Sequence, residues 1–404
     1  MLLLRKLLYY LLIPGGLVLP AAIALHRWSD RPAGVENAID ILPYLVLSAG
    51  IFLGWRFNRS RLILAMLVLT VADRALFLAP ELGHPELVAG LVALLLPLNV
   101  LWIGLIVERG LVSTCGFMRI FGILVQPVAV DVLLRHDPQI LRSFLGMNVA
   151  PLPFLQEWGL PQPALLAFLL AVTILVMRFW LRPHVFEGTL LWSLVASMIA
   201  VRAGGGETTS FFMATGGLML VIAVLESSYF MAFRDELTGL PSRRALNEYL
   251  LRSGGHYTVA MVDVDHFKKV NDTHGHDVGD QVLKMVASRM MRVGGGGKAF
   301  RYGGEEFTLV FAGRDSDECV PHLENLRREI ADSGFTLRGP DRSGKKPKKG
   351  KKPPKGRKQL KVTVSIGTAA TSGHKGSAED LIKMADECLY KAKQGGRNKV
   401  VVAT

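Results

Sequence analysis

The chain has 404 residues, half of them hydrophobic, with a formal net charge of +13 and three cysteines. That length holds two or three domains, and the apolar fraction is high for a chain wholly exposed to water. Cys115, Cys319 and Cys388 have neither the number nor the spacing of a disulfide framework or zinc site, and the histidines show no metal-ligand spacing, which excludes those classes.

Apolar runs follow one another up to about Phe233, after which charges return and helix and strand periods become readable. This predicts an all-α transmembrane bundle over residues 1–233 and a soluble domain over 234–404. Runs near the roughly 20 residues a bilayer requires begin at about Leu7, Ala38, Leu62, Glu86, Ile120, Pro163, Glu187 and Ser210, giving about eight spans. The first follows Arg5 and Lys6 as a signal peptide would, but the length of "LYYLLIPGGLVLPAAIAL" and the runs after it favour a retained span.

Arg5 and Lys6, then Arg56, Arg59 and Arg61, then Arg109 and Arg119, then Arg178 and Arg182 fall on alternate loops. Basic loops stay inside, so both termini are expected in the cytoplasm of a bacterial inner membrane, although Arg27, Arg31, Arg135 and Arg142 on the opposite loops weaken the bias. Asp73, Arg74, Asp131 and Arg202 fall towards the outer ends of their spans, where an interfacial position is expected for them rather than a relay.

In the soluble part, "PSRRALNEYLLRS" has helical spacing and "YTVAMVDVD" reads as a buried strand ending in carboxylates. "GDQVLKMVASRMM" places Val282, Met285, Val286 and Met290 on one helical face. "KAFRY" and "FTLVFA" are short strands joined through "GGEE", and "ECVPHLENLRREIADSG" is a helix.

The stretch from Asp341 to Lys361 then holds eleven Lys or Arg and one Asp, so most of the net charge is local. Rich in Pro, Gly and Lys, it cannot build a core and is expected as a disordered insertion at about 338–360. It is either solvated or in contact with anionic lipid; without interleaved aromatic residues, nucleic acid is not expected as a partner. "LKVTVSIGTAA" follows as a strand. "SAEDLIKMADECLYKAK" is a helix opened by Ser-x-x-Asp and stopped at Gly395 and Gly396, and "KVVVA" is a last strand. Without the first helix and last strand, the order βαββαβ predicts a ferredoxin-like α+β domain with helices against one face of a largely antiparallel sheet.

In that order Asp263 ends a central strand, while Glu305 and Glu306 follow the hairpin glycines. Taken alone, "RYGGEEF" is equally a tight turn with a solvated tip. If the strands are neighbours, the acids converge as hard oxygen ligands suited to Mg²⁺, and Gly303 and Gly304 let a phosphate-bearing ligand approach the backbone.

"RDELTGLPSRRAL", "VDVDHFKKVNDTHGHDVGD", "RYGGEEF", "VTVSIGTA" and "ADECLYKAKQGGRN" resemble, in order and spacing, the successive motifs of the GGDEF family of diguanylate cyclases. The resemblance covers about Arg234 to Thr404 and implies a palm-type fold that condenses two GTP into cyclic di-GMP. It implies that Asp263, the carbonyl of Val264 and Glu305 ligate the metal, with two Mg²⁺ per site and Mn²⁺ as a substitute. Asn271 and Asp280 would read guanine with His276 nearby, and Lys268, Lys393 and Arg397 would hold phosphates. Glu305 or Glu306 would help deprotonate the attacking 3′-hydroxyl.

Two GTP meeting head to tail imply a homodimer through the cyclase domain, with regulation by the membrane domain expected. A silent GTP or cyclic di-GMP receptor, and a transporter with a regulatory domain, are the competing readings. Many members carry Arg-x-x-Asp before the two glycines as an inhibitory product site. Here the matching positions are Gly294 and Gly297, and Arg292 is followed three residues later by Gly295, so no such site is expected and "GGGG" reads as a mobile turn.

Overall fold

The computed structural model describes residues 2–111, 113–149, 158–333, 335–336, 359–372 and 376–403, in two compact units, Met1–Ser228 and Tyr229–Thr404. The first is all-helical. It contains α1 (Leu2–Leu11), a π-helical segment (Leu12–Gly16), α2 (Leu17–Arg27), α3 (Ala33–Arg56), α4 (Ser60–Leu78) and α5 (Pro85–Leu105). There follow α6 (Thr114–His136), α7 (Pro138–Leu145), α8 (Gln162–Leu181), α9 (Val185–Ala203) and α10 (Glu207–Phe233).

Among the described residues, seven stretches are long and apolar enough to cross a membrane: Leu7–Arg27, Ala33–Arg56, Pro85–Leu105, Thr114–His136, Gln162–Leu181, Val185–Ala203 and Glu207–Phe233. The span expected from Leu62 is α4, which Arg61, Asp73 and Arg74 keep out of that set although it packs against α3, α5 and α6. Leu62, Leu96, Ile103, Leu175, Leu190 and Met219 are fully buried, whereas Tyr44, Trp55, Phe117, Phe121, Trp180 and Leu181 are exposed. An outer surface with so many large apolar side chains is in keeping with these stretches as candidate membrane spans.

Asp73, for which an interfacial position is expected, faces the interior of the helical unit. It is buried, with Oδ2 2.7 Å from Arg74 Nη2 and Oδ1 accepting from Ser210 Oγ at 2.6 Å. A buried carboxylate needs such partners to hold its charge. Asp131 pairs with Arg135 one turn along at 2.9 Å, and Arg202 lies over the Trp158 ring at 5.5 Å.

The second unit is built on a five-stranded sheet in the order β2-β3-β1-β6-β7. These are β1 (Tyr257–Val264), β2 (Lys298–Gly303), β3 (Glu306–Ala312), β6 (Val364–Ala370) and β7 (Val400–Val402). All pairings are antiparallel except β6 with β7. Short β4 (Phe335–Thr336) and β5 (Gln359–Leu360) form a separate ribbon. The basic insertion expected at about 338–360 lies outside the described residues, apart from Gln359 and Leu360 in β5.

The ferredoxin-like, palm-type order is present, but helices cover both faces rather than one. On one face α13 (His276–Met290) and α14 (Ser316–Asp332) set Val282, Val286, Leu323 and Leu326 against Val262, Phe307, Leu309 and Ile366. On the other, α11 (Arg243–Arg252) and α15 (Ala378–Gln394) set Leu246, Leu250, Ala385 and Leu389 against Val259, Met261, Val310 and Ala369. β1 is therefore buried along its whole length, and its period-2 alternation serves two cores, which explains its unbroken apolar run. Each fully buried side chain such as Phe307 contributes about 2–3 kcal/mol relative to exposure.

Helix α15 opens as its sequence predicts: Ser377 Oγ accepts from Asp380 N at 3.2 Å, and Asp380 Oδ2 accepts from Ser377 N at 2.8 Å. It crosses β6 at Gly367, where an added Cβ would lie 2.0 Å from Leu389 N and 2.2 Å from Ala385 O. Glycine there lets the helix lie directly on the strand.

Candidate active site

Asp263, the next-to-last residue of β1, faces Glu306 on β3 and Ser365 on β6. One step on, Val264 N donates to Glu305 O at 3.4 Å, so the strand pairing carries Glu305 to the same corner. Only 4% of Asp263 is exposed, and its Oδ2 lies 2.9 Å from Lys393 Nζ in the last turn of α15. Asp263, Glu305, Glu306 and Lys393 therefore do meet.

The electrostatics follow from that crowding. Burial raises the Asp263 carboxyl above its ordinary range, Lys393 opposes the shift, and Asp265 and Asp386 add to it. Burial also raises Glu305 and Glu306, with repulsion from Asp263 adding to each. Three half-buried or buried carboxylates beside one lysine leave uncompensated negative charge.

Gly303 ends β2, the β2–β3 pairing shifts register between Arg301 and Gly303, and Gly304 turns with φ +42°. Nothing lies within 4 Å of a Cβ placed at either glycine, so the space over the turn is open. The turn is fixed from below by Arg301, whose Nε and Nη2 donate to Gly304 O at 3.2 and 2.7 Å. Its Nη1 donates to both carboxylate oxygens of Asp235 at 2.7 and 2.8 Å. Asp235 also accepts from Thr238 N and Thr238 Oγ1, and Arg301 N donates to Pro241 O. The segment "RDELTGLP", to which sequence reasoning gave no task, is thus the anchor of the hairpin.

A short helix, α12 (Phe267–His274), buries Phe267 and Val270 and leaves Lys268 exposed. Gly275, at φ +82°, turns the chain into α13, where His276 and Asp280 are exposed. Asn271 Oδ1 is buried without a hydrogen-bond partner, and a Cβ at Gly279 would lie 1.9 Å from it. An orphaned buried carbonyl oxygen is costly and marks a place for a donor. Lys268, His276, Asp280 and Arg397 make no side-chain hydrogen bond or ion pair among the described residues, and the structure does not join them to the carboxylates by any direct contact.

Asp265 was missed as well. It is 5% exposed; Oδ1 accepts from Ser365 Oγ at 2.7 Å, while Oδ2 accepts from Thr363 Oγ1 at 2.7 Å and Asn398 N at 3.1 Å. It thereby fixes the turn carrying Arg397 (φ +63°) after α15. A second acid two residues beyond Asp263 was its only signal.

In the turn at Gly294–Gly297, expected to be mobile, Gly294, Gly295 and Gly297 lie close against neighbours, while a Cβ at Gly296 would meet nothing within 4 Å. Cβ atoms at Gly294 and Gly295 would meet His322 at 2.9 and 2.4 Å, and one at Gly297 would meet Phe311 at 2.6 Å. Gly295 and Gly296 also have φ of +69° and +74°. Packing and handedness account for these glycines.

Among the described residues, no three His, Cys, Asp or Glu side chains form a metal cluster on their own. Asp263, Glu305 and the Val264 carbonyl are an incomplete, all-oxygen, net-negative donor set. That chemistry fits a hard divalent cation whose remaining positions are filled by water or phosphate.

A family model described as "Diguanylate cyclase, GGDEF domain" matches residues 232–399. Response regulator PleD of Caulobacter vibrioides is 36% identical over 185 residues, covering 44% of this chain and 37% of that protein. Diguanylate cyclase DgcP of Pseudomonas aeruginosa is 35% identical over 187 residues, covering 44% of this chain and 25% of that one. The chain thus spans well under half the length of these relatives. The GGDEF domain of DgcB from Caulobacter crescentus, solved in complex with c-di-GMP, is 34% identical over 43% of this chain and 96% of that one, with a TM-score of 0.37.

Proposed function

Residues 232–399 form a GGDEF domain, and from that premise we propose that the chain is a diguanylate cyclase held in a membrane by its first unit. It condenses two GTP into cyclic di-GMP and two pyrophosphates. The observation that carries this reading is the meeting of Asp263, Glu305 and Glu306 beside Lys393, next to two glycines with open space above them.

A divalent metal, Mg²⁺ or Mn²⁺ and two ions per site, is held by Asp263, Glu305 and the Val264 carbonyl and supplies charge neutralisation for the phosphates. Lys393, Lys268 and Arg397 bind phosphate oxygens, and the open backbone at Gly303 and Gly304 admits them. Asn271 Oδ1, buried and unbonded, accepts from the guanine edge, with Asp280 as a second acceptor and His276 beside them. Glu305 or Glu306 takes the proton of the 3′-hydroxyl. The 3′-oxygen then bonds to the α-phosphorus of the other GTP and pyrophosphate leaves.

Each second unit holds one GTP, so the working form is a homodimer with the two sites facing. The first unit lies in a bacterial cytoplasmic membrane with both termini inside, and regulates the cyclase. Incubating the full chain in lipid nanodiscs with GTP and Mg²⁺, and detecting cyclic di-GMP by mass spectrometry, tests the reading. Binding of GTP or cyclic di-GMP without conversion would identify a silent receptor instead.

A further inference from the structure

Three loops of the first unit meet at one end of its bundle. They follow α3, α5 and α8, and they surround a cavity of about 290 Å³ lined by Arg59, Arg61, Arg178, Arg182, His184 and Glu187. Sequence reasoning treated these arginines only as markers of the inner side.

The carboxylates here are already committed. Glu187 accepts from Arg61 through both oxygens, at 3.0 and 3.2 Å, and both side chains are about nine-tenths buried. The remaining N–H groups of Arg61 reach Ile103 O at 2.8 Å and Gly104 O at 3.1 Å, and its guanidinium lies 4.7 Å from the Phe186 ring centre. Glu108, also on the cavity wall, accepts from Ser60 Oγ at 2.8 Å and Arg61 N at 3.1 Å at the head of α4.

The donors are not all committed. Arg178 Nε is buried and 3.4 Å from Glu187 Oε2, in ion-pair contact, yet it makes no hydrogen bond. Arg182 has no side-chain partner among the described residues. His184 Nδ1 accepts from Phe186 N at 3.2 Å, which places the ring proton of the neutral form on Nε2 as a further donor. Desolvation lowers the His184 pKa; Glu187 opposes the shift and Arg59 and Arg61 reinforce it. The wall thus carries four guanidinium groups against two carboxylates, with N–H groups awaiting acceptors.

We propose that this cavity binds a phosphate group through Arg178, Arg182 and His184. Guanidinium forks match phosphate oxygens in pairs, and a compact anion relieves both the excess charge and the unbonded Nε. The phosphate comes from either an anionic lipid headgroup or a soluble phosphate ester.

The test measures the unfolding temperature of the full chain in dodecyl maltoside with added phosphatidylglycerol, phosphatidylcholine or inorganic phosphate. A shift with phosphatidylglycerol alone assigns the site to lipid, and a shift with inorganic phosphate assigns it to a soluble anion. In either case Arg182→Glu is expected to weaken the effect about tenfold in ligand concentration, and Arg178→Gln to weaken it as well. Arg142→Glu, which changes an exposed charge outside this cavity, leaves it intact. Absence of any shift, or an equal loss with Arg142→Glu, overturns the proposal. Because the Arg182 side chain makes no hydrogen bond or ion pair among the described residues, its variant reports on binding rather than on folding.

Discussion

Arg301 holds Asp235 and Gly304 at once: Nη1 meets both Asp235 oxygens at 2.7 and 2.8 Å, and Nη2 meets Gly304 O at 2.7 Å. One planar cation therefore ties the hairpin at the candidate site to the segment before α11. Lysine has the charge but not the fork. Arg301→Lys is expected to cost the second unit about 1–2 kcal/mol and to lower turnover. Thermal unfolding of the second unit, followed with cyclic di-GMP production, checks both; unchanged values would remove the anchoring role.

The same pair has a pH signature. Burial alone would raise Asp235, but hydrogen bonds from Thr238 and Arg301 outweigh it and hold its pKa below the ordinary value. A depressed carboxylate contributes stability above its unfolded pKa, about 3.9, and loses it as pH falls through the lower folded value. The hairpin is therefore expected to loosen in acid below about pH 4. In Asp235→Asn that acid-dependent part should vanish, with lower stability at neutral pH. Hydrogen exchange of the β2–β3 amides across this range gives the comparison.

Glu305→Gln should reduce turnover at least about a hundredfold while leaving the fold intact, since the side chain lies at the hairpin mouth and outside the core. Asp280→Ala should instead weaken GTP binding about tenfold and relax preference over ATP. Steady-state kinetics with both nucleotides separate the two; a pure turnover defect in Asp280→Ala would remove its guanine role.

Two glycines are sterically fixed in ways a stability measurement can read. Gly367→Ala forces a methyl onto the backbone of α15 and is expected to destabilise the second unit by about 2–3 kcal/mol. Gly297→Asp, one half of an Arg-x-x-Asp motif, drives a side chain into Phe311 and should cost a similar amount. Consequently Gly294→Arg with Gly297→Asp should not install product inhibition at full stability. Titrating cyclic di-GMP against turnover and unfolding in that double variant decides it.

Deleting residues 342–358 should leave cyclase activity within about threefold, because β4 and β5 bring the flanking chain together and a short loop closes at little entropic cost. Binding to anionic vesicles should fall and become less sensitive to salt. Equal vesicle binding before and after deletion would return the stretch to a solvated loop.

Periodicity made the strand order legible because β1, β3 and β6 are short apolar runs with turn residues between them. The carboxylate corner was legible for the same reason: Asp263, Glu305 and Glu306 sit where those runs end. The faces of the sheet were misread because β1 is apolar on both sides, and a continuous run does not say which residues serve which core. Asp265 and Asp235 escaped because their tasks are hydrogen bonds to Asn398 and Arg301, distant in sequence and without a period of their own. In the first unit, hydropathy located the helices but not the burial of Arg61, Glu187 and Asp73, since pairing across helices leaves no mark on a single segment.

The two acids of the corner, Asp263 and Glu305, are held unequally by the sheet. Asp263 lies on a strand paired on both edges, so its backbone opens only when the sheet does. Glu305 follows a left-handed glycine in a turn held by Arg301 and by one bond from Val264 N to the Glu305 carbonyl. One side of the site is thus set by the pairing of three strands and the other by a few bonds to a single turn. A nucleotide bound as proposed would meet, on the Asp263 side, groups positioned by two strand pairings and, on the Glu305 side, groups positioned by one guanidinium fork.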